Sequence, residues 1–386
     1  MKLNVKVALL TNVVPTYRVP LLLSFQEHVQ HLRTFVGLKE VPDRDWHLFH
    51  GGLDIILSRT IQRIVRFQNV HGFQDESHVQ VPYDTIWVLA RYRPDVILSS
   101  EFGMRTLFAC AYKILFPKVK LILWATLSER TEETRGVKKQ ALRKLILKRI
   151  DGIFVNGHSG ERYVRALGFA NKPLGYINQT IDNDFFLGPI TRPVNGPIKL
   201  FFVGQIIERK GLYPFLTQLA KWCGRHPEKQ VSVTIAGNGA EETRLKTIVA
   251  PPNLTLAFPG IAQSAQLPAY YHSADISIFP TLADEWGVVV NEAMVAGLPV
   301  LASKHSQAVE ELITDNVNGW IFDPNDREDM YNAIDRALTT DCIALDGMRQ
   351  QAIDAIRGLT PDVVADRMVS VLHQVCGDGV VEPSTH

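Results

Sequence analysis

The sequence predicts an α/β chain of two domains, each a parallel sheet with helices on both faces. Three observations carry this. The chain has 386 residues, and at roughly 150 residues per domain that suggests two to three domains. Short continuous apolar runs alternate with amphipathic helical segments along most of it. Strict β–α alternation implies parallel sheets buried on both sides. The alternation pauses at 191–197, where Pro193, Gly196 and Pro197 read as a linker.

Taken in order, Val5–Leu10 is the first strand, Pro20–Val29 its helix and Thr34–Val36 a short second strand. Residues 40–80 suggest long loops around one helix near Leu53–Phe67. Thr85–Tyr92 is helical, Pro94 stops it, and Asp95–Leu98 is a strand. Met104–Phe116 is a helix ended by Pro117, Lys120–Trp124 a strand, Gly136–Ile150 a helix and Gly152–Val155 a strand. Ser159–Leu167 is a helix closed by Gly168. In the second half, strands are expected at Lys199–Val203, Val231–Ala236, Leu254–Phe258, Ile276–Phe279 and Pro299–Ala302. Helices lie between them at Leu212–Trp222, Ala240–Val249, Ala265–Tyr271 and Asn291–Val295. Three more close the chain, near Arg327–Leu338, Ala344–Ile356 and Pro361–Val375. The expected domains are 1–190 and 198–360, joined by the linker 191–197. A terminal helix and frayed tail occupy 361–386.

Composition excludes several classes. With 46% hydrophobic and 21% charged residues the chain is neither disordered nor fibrous. A net charge of +1 gives no reason to expect a nucleic-acid partner. The four cysteines, Cys110, Cys223, Cys342 and Cys376, are far apart and form no zinc-type spacing. A reducing, cytoplasmic location is expected. The N-terminal residues lack the apolar core of a signal peptide. No apolar run approaches the ~18 residues needed to cross a bilayer. The charge is uneven: residues 1–190 carry 26 Lys and Arg against 17 Asp and Glu, a net +9, and the remainder is −8. Two modules with different partners would produce that split.

The segment richest in chemistry is Asp275–Ser303. A buried strand runs into a polar loop, Thr281–Glu285, at the strand's carboxyl end, where open α/β sheets bind ligands. Gly287 permits close backbone approach. Glu292 follows in the first turn of an apolar helix, whose free N–H groups favour an anion such as phosphate. An acid among apolar residues needs a fixed partner. A ribose diol would serve, and so would the helix's own backbone in a capping role. Earlier, the strand Phe201–Val203 leads through Gly204 to Arg209 and Lys210. That pair is either a diphosphate site or a solvated basic loop.

Together these segments resemble the retaining glycosyltransferases of family 4, which share the GT-B fold. The resemblance rests on Asp284-Glu285-Trp286-Gly287, then Glu292-Ala293, which follow the family's acid-x7-acid signature, and on Gly297-Leu298-Pro299-Val300. The first acid here is Asp284 with Glu285 beside it. Phe201–Gly211 fits the same family, with Gln205 where relatives commonly carry Arg, so the phosphate load falls on Arg209 and Lys210. Gly237-Asn238-Gly239 resembles the family's Gly-x-Gly turn, and Phe258-Pro259-Gly260 the loop beside the nucleotide base. The match covers nearly all of 197–325 and is weaker over 1–190. There, Pro15-Thr16-Tyr17-Arg18-Val19-Pro20 resembles a loop of polysaccharide-assembling members.

The resemblance implies two Rossmann-like domains with parallel sheets facing across a cleft. It implies transfer of a sugar, with retention of configuration, from a nucleoside-diphosphate sugar to a glycan or lipid-linked acceptor. Asp284, Glu285 and Glu292 would be the catalytic carboxylates. Gly204, Gln205, Arg209, Lys210, Gly237, Asn238, Phe258, Gly287, Val288, Val289, Asn291 and Glu292 would bind the donor. Tyr17, Arg18, Ser128 and Glu129 would face the acceptor. Tyr17 and Arg18 have the alternative of an inward-packed turn, and Glu129 that of a structural ion pair. With no Asp-x-Asp in a plausible donor loop, no metal site and no obligatory cofactor are expected. A non-catalytic glycan or partner binder and a nucleotide-sugar epimerase remain alternatives. Finally, Arg135–Arg149 reads as an amphipathic helix with Val137, Ala141, Leu142, Leu145, Ile146 and Ile150 in one stripe and seven cations around it. Its basic face is either merely solvated or a contact for anionic lipid, on the inner face of the cytoplasmic membrane.

Overall fold

A computed structural model describes residues 2–38, 51–68, 74–133, 136–189 and 196–377; the side chains of 65–68 and 74–78 are also outside its description. The chain forms two compact units. Of the described residues, one unit holds those up to Phe67, those of Glu76–Ile181 and Leu359–Gly377, and the other holds Gln68, Gln74, Asp75 and those of Asp182–Gly358.

The first unit begins with β1 (Leu3–Thr11), α1 (Val19–Glu27), β2 (Val29–Val36), β3 (Asp54–Leu57), β4 (Thr60–Gln68) and β5 (Gln74–Pro82). It continues with α2 (Thr85–Tyr92), β6 (Val96–Ser100), α3 (Met104–Leu115), β7 (Lys120–Ala125), α4 (Glu129–Glu132) and α5 (Val137–Arg149). Last come β8 (Gly152–Val155), α6 (His158–Ala166) and β9 (Leu174–Tyr176). Seven strands form one sheet in the order β3-β2-β1-β6-β7-β8-β9, parallel throughout. Strands β4 and β5 pair apart from it. Residues from α2, α3, α5 and α6 share one apolar core with inward residues such as Leu10, Ile97, Leu123 and Ile153.

The second unit runs α7 (Asn183–Phe186), β10 (Ile198–Val203), α8 (Leu212–Arg225), β11 (Val231–Ala236), α9 (Glu242–Leu245) and β12 (Leu254–Gly260). Then come α10 (Leu267–His272), β13 (Ile276–Phe279), α11 (Val288–Val295), β14 (Val300–Ser303), α12 (Gln307–Leu312) and β15 (Gly319–Phe322). Helices α13 (Arg327–Thr339) and α14 (Cys342–Ile356) complete it. Its sheet has the order β12-β11-β10-β13-β14-β15, again all parallel. The core is built on Phe202, Phe215, Trp222, Ile278 and Trp320. Both units are parallel-sheet, Rossmann-like domains.

Helix α15 (Pro361–Cys376) returns to the first unit and packs on α1, β8 and β9. Glycines make room for it: a Cβ on Gly152 would meet Val375 at 3.0 Å, and one on Gly175 would meet Val371 at 2.6 Å. Residues 182–189 belong with the second unit. His272 Nε2 lies 2.8 Å from the Phe186 carbonyl oxygen, and a Cβ on Gly188 would strike the His272 ring at 2.3 Å. Residue 190, residues 191–195 of the expected linker, and the tail beyond Gly377 lie outside the described residues.

Two expected helices differ. The helix expected near Leu53–Phe67 is replaced by β3 and β4. Ile55, Ile56, Thr60, Ile61, Ile64 and Val65 are β-branched, which favours strands. The helix expected at Ala240–Val249 shrinks to α9. Thr247 and Ile248 bond three residues back, to the Arg244 and Leu245 carbonyls, which tightens the turn. Pro251 and Pro252 follow.

Candidate functional site

In the second unit, loops from four neighbouring strands meet at the carboxyl end of the sheet. Glycine sets their spacing. Gly204, after β10, has φ +146°, and Gly237, after β11, has φ +148°. A Cβ on Gly237 would lie 1.9 Å from the Gly204 carbonyl oxygen. Only bare backbone fits there. The Ile206 amide then donates to the Asn238 carbonyl at 2.6 Å, and the Gly237 amide to Gly260 at 2.8 Å. Asn238 is exposed, Gln205 is half-buried, and Phe258 packs at the core margin with Lys246 5.4 Å above its ring.

A turn at Glu208–Lys210 carries the cations. Gly211, with φ +66°, ends it, and its missing Cβ leaves room for the Pro280 carbonyl oxygen. The cations therefore sit against the loop that follows β13. Arg209 Nη1 donates to the Ala283 carbonyl at 3.0 Å and lies 3.6 Å from Asp284 Oδ2. Lys210 Nζ lies 2.5 Å from the same oxygen. Burial alone would push the Asp284 carboxyl up; Lys210 and Arg209 outweigh it and hold the group below its ordinary value. Asp284 thus faces the phosphate-binding candidates. Glu285, the next residue, is exposed, and Gln307 holds its backbone carbonyl at 2.6 Å.

Gly287 has φ +102°, and a Cβ there would strike the Phe279 ring at 2.7 Å. It starts α11, where the first intrahelical bond runs from the Val290 amide to the Gly287 carbonyl. The amides of Val288 and Val289 precede it and point out of the helix start. Asn291 is buried and accepts from Trp286 Nε1 at 2.9 Å, which fixes the loop. Glu292, one turn in, accepts from the Tyr271 hydroxyl at 2.7 Å. Burial raises its carboxyl to about 7, against the opposing Tyr271 hydrogen bond. Tyr271 carries no sequence signal of this role. It lies on α10, and only the fold brings it beside α11.

The first unit holds the acceptor-side candidates. Tyr17 and Arg18 occupy a short turn after β1, both half-buried. The Arg18 guanidinium lies 4.8 Å from the Trp124 ring and 5.9 Å from that of Tyr17. Ser128 caps α4, accepting from the Thr131 amide at 3.2 Å. Glu129 accepts from Arg162 Nε at 2.7 Å and takes the Ser159 hydroxyl at 3.4 Å.

Helix α5 departs from the expected stripe. Ile146, Leu147 and Ile150 are buried, but Val137 (82% exposed), Leu142 (39%) and Leu145 (52%) face solvent. Lys138, Lys139, Lys144 and Lys148 are exposed beside them. Arg143 instead turns inward to Glu132 and the Tyr163 hydroxyl. Arg135 lies outside the described residues. Among the described residues, no helix is long and apolar enough to cross a membrane.

The loops on the second sheet coincide with a known family. Residues 189–357 match the Glycosyl transferases group 1 family. Among curated relatives, the amylovoran biosynthesis glycosyltransferase AmsK of Erwinia amylovora is 29% identical over 173 residues, 42% of this chain and 41% of that protein. The putative colanic acid biosynthesis glycosyltransferase WcaL of Escherichia coli K12 is 28% identical, over 36% of this chain and 35% of its own. The chain thus spans about two fifths or less of these relatives. Solved structures cover more. Sucrose-phosphate synthase from Thermosynechococcus elongatus superposes with a TM-score of 0.71 at 18% identity, over 96% of this chain and 98% of that one. HepE of Anabaena, solved with UDP-glucose, gives 0.67 at 15% identity, over 96% and 99%. At such identities the likeness establishes the fold: GT-B, with two Rossmann-like α/β domains.

Proposed function

We propose that the protein moves a sugar from a nucleoside-diphosphate sugar to a glycan or lipid-linked acceptor, with retention of configuration, in the building of cell-surface polysaccharide. One observation carries the reading. Two cations, three glycine-tight backbone turns, a helix start and a half-buried carboxylate all meet at one end of the second sheet. A diphosphate fits the Arg209–Lys210 pair and the amides of Val288 and Val289. A ribose diol fits Glu292. The names of AmsK and WcaL support the polysaccharide setting, and the UDP-glucose complex of HepE supports the donor class.

Bond cleavage to the donor sugar places negative charge on the leaving diphosphate. Arg209 and Lys210 sit where that charge develops and stabilise it in a partly desolvated site. Asp284 keeps both cations in place, and Asp284 or Glu285 orients the sugar. The acceptor enters on the first unit, near Tyr17 and Arg18. The apolar and basic surface of α5 docks on anionic lipid at the inner face of the cytoplasmic membrane, where a lipid-linked acceptor resides.

The test is incubation with UDP-glucose, UDP-galactose and GDP-mannose without acceptor. Slow release of free sugar, first seen by NMR as the donor's own anomer, is expected. An altered nucleotide sugar marks an epimerase instead. No turnover of any donor and no nucleotide binding would sink the reading.

A further inference from the structure

The loop that carries Asp284 is held by a segment that no motif marks. Strands β13 and β14 are parallel neighbours, so the chains leaving their carboxyl ends run side by side. Where β14 turns into α12, residues 305–308 lie along Leu282–Trp286, and Asp284 and Ser306 are bridge partners. The Asp284 amide donates to the His305 carbonyl at 3.0 Å, the Ala308 amide to the Trp286 carbonyl at 3.1 Å, and Gln307 Nε2 to the Glu285 carbonyl at 2.6 Å. The Ser306 hydroxyl also donates to the Trp286 carbonyl. His305, Ser306 and Gln307 are all buried. The backbone groups of the acid loop are thus satisfied by its neighbour rather than by water.

His305 adds its ring to these contacts. Nδ1 lies 3.1 Å from the Leu282 carbonyl oxygen. A carbonyl only accepts, so Nδ1 carries a proton. On the other side, Nε2 lies 3.8 Å from Asp323 Oδ1, just after β15. Asp323 is fixed in turn. Its Oδ2 pairs with Lys304 Nζ at 2.9 Å, its Oδ1 accepts from the Asn325 amide at 2.9 Å, and its own amide donates to Asp329 Oδ2 at 2.6 Å. The ring is therefore braced from both edges. Leu282 is also gripped from its amide, which donates to the Arg209 carbonyl at 2.8 Å. His305, Leu282 and Arg209 form one chain of contacts that ends at the turn carrying the cations.

We propose that His305 is a positioning residue for the donor reaction, holding the Leu282–Asp284 segment through Nδ1 so that the Asp284 carboxylate stays against Lys210 and Arg209. This deepens the transferase reading and rests on it for the reaction. Geometry selects His305 over its neighbours. Ser306, Gln307 and Ala308 hold the loop beyond Asp284, at Glu285 and Trp286. His305 grips Leu282 with its ring and Asp284 with its carbonyl, so Ala283 hangs between two contacts to one residue. The Ala283 carbonyl in turn accepts from Arg209 Nη1 at 3.0 Å. Without the ring contact the Leu282 peptide is free to turn, and the Ala283 carbonyl and the Asp284 carboxylate shift against both cations. Misplacing such groups costs rate more than ground-state binding.

The experiment exchanges His305 for the two carboxamides that imitate its nitrogens. The side-chain nitrogen of His305→Asn falls at the Nδ1 position and keeps the bond to Leu282. That of His305→Gln falls at the Nε2 position, toward Asp323, and loses it. Two readouts are taken on the full chain, 15N-labelled. The first is the Trp286 indole N–H peak, identified by its loss in Trp286→Phe. It reports the loop, because Trp286 Nε1 donates to Asn291 at 2.9 Å and the Trp286 amide donates to Asp284 Oδ1 at 3.4 Å. The second is hydrolysis of UDP-glucose, UDP-galactose and GDP-mannose. His305→Asn is expected to leave the peak in place and kcat within about twofold of wild type. His305→Gln is expected to move the peak and lower kcat at least fivefold, with KM changed less than about twofold. Equal behaviour of the two variants, an unmoved peak in His305→Gln, or a loss confined to KM would overturn the proposal. A His305→Gln protein without native peaks would overturn it too, since the contact would then be structural. A wild type that hydrolyses no donor removes the transferase reading, and the indole peak then still decides whether Nδ1 holds the loop.

Discussion

Lys210 Nζ lies 2.5 Å from Asp284 Oδ2, and Arg209 reaches toward the same oxygen from 3.6 Å. The resemblance to family 4 made Asp284 a candidate catalytic carboxylate. Its carboxylate is instead engaged with the two residues expected to hold the diphosphate. With side chains only 15–17% exposed, the Asp284–Lys210 pair is largely desolvated. Removing one partner of such a pair strands the other charge.

Asp284→Asn is therefore expected to lower the stability of the free protein by about 2 kcal/mol, less than the loss for a fully buried pair. The same change frees Arg209 and Lys210 for phosphate, so UDP should raise the melting temperature more than in wild type. Thermal shift with and without UDP checks both effects. The pair's contribution also has a pH signature. The folded-state carboxyl lies below its ordinary value, so the stabilisation is present at neutral pH and is lost as pH falls below the carboxylate range. Equal melting shifts in wild type and variant would show that Asp284 does not restrain the cations.

Glu292 behaves in the opposite sense. Burial raises its carboxyl to about 7. The folded state then holds a proton that the unfolded chain releases, so stability falls as pH rises from the ordinary carboxylate range through 7. Glu292→Gln should melt higher than wild type at pH 8 and nearly level with it at pH 5. The ribose diol needs the ionised form as acceptor, so UDP affinity should rise between pH 6 and pH 8 more steeply in wild type than in Glu292→Gln. Tyr271→Phe, which removes the hydroxyl at 2.7 Å, should move the wild-type affinity midpoint to higher pH. Calorimetric titrations at four pH values are the measurement, and parallel curves for wild type and Glu292→Gln would remove Glu292 from the ribose site.

Glycines 237 and 224 provide a paired test. Gly237 sits where a Cβ would meet the Gly204 carbonyl oxygen at 1.9 Å, while a Cβ on Gly224, in α8, meets nothing within 4 Å. Gly224→Ala should stabilise by about 0.5–1 kcal/mol through helix propensity. Gly237→Ala must push the two loops apart and should abolish UDP binding, with a fall in melting temperature. A Gly237→Ala protein with normal UDP affinity would mean that the close approach of these loops is not needed for the donor.

The two sheets were legible because their apolar runs are strong. Val231–Ala236 and Ile276–Phe279 coincide with β11 and β13, and Thr85–Tyr92 with α2. The loops at the carboxyl end of the second sheet were legible too, since Gly204, Arg209, Lys210, Gly287 and Glu292 lie within short segments whose spacing alone constrains them. What the sequence hid depends on distance along the chain. Tyr271 meets Glu292 across 21 positions, and His305 meets Leu282 across 23. Strand β9 escaped because Leu174–Tyr176 is three residues long. On α5 the apolar period put Val137, Leu142 and Leu145 in one stripe with Ile146 and Ile150, whereas the helix buries only its C-terminal end. Periodicity marks an apolar face but not what covers it.

That uncovered face carries the last prediction. Val137, Leu142 and Leu145 are exposed among Lys138, Lys139, Lys144 and Lys148. Apolar residues flanked by lysines fit a helix lying in the lipid interface. Each lysine near an anionic surface contributes about 1 kcal/mol, and salt screens that part. The apolar contribution is not screened. Arg143 is left out of the test because it is paired with Glu132 inside the unit, and its loss would strand a buried charge. Replacing the four lysines by Gln should leave the fold intact and reduce cosedimentation with phosphatidylglycerol vesicles at least tenfold at low salt. Leu142→Ser with Leu145→Ser should weaken binding by a similar factor at low and high salt. If wild type does not cosediment at low salt, the surface has another use. If the lysine variant binds like wild type, the vesicles are held elsewhere on the protein.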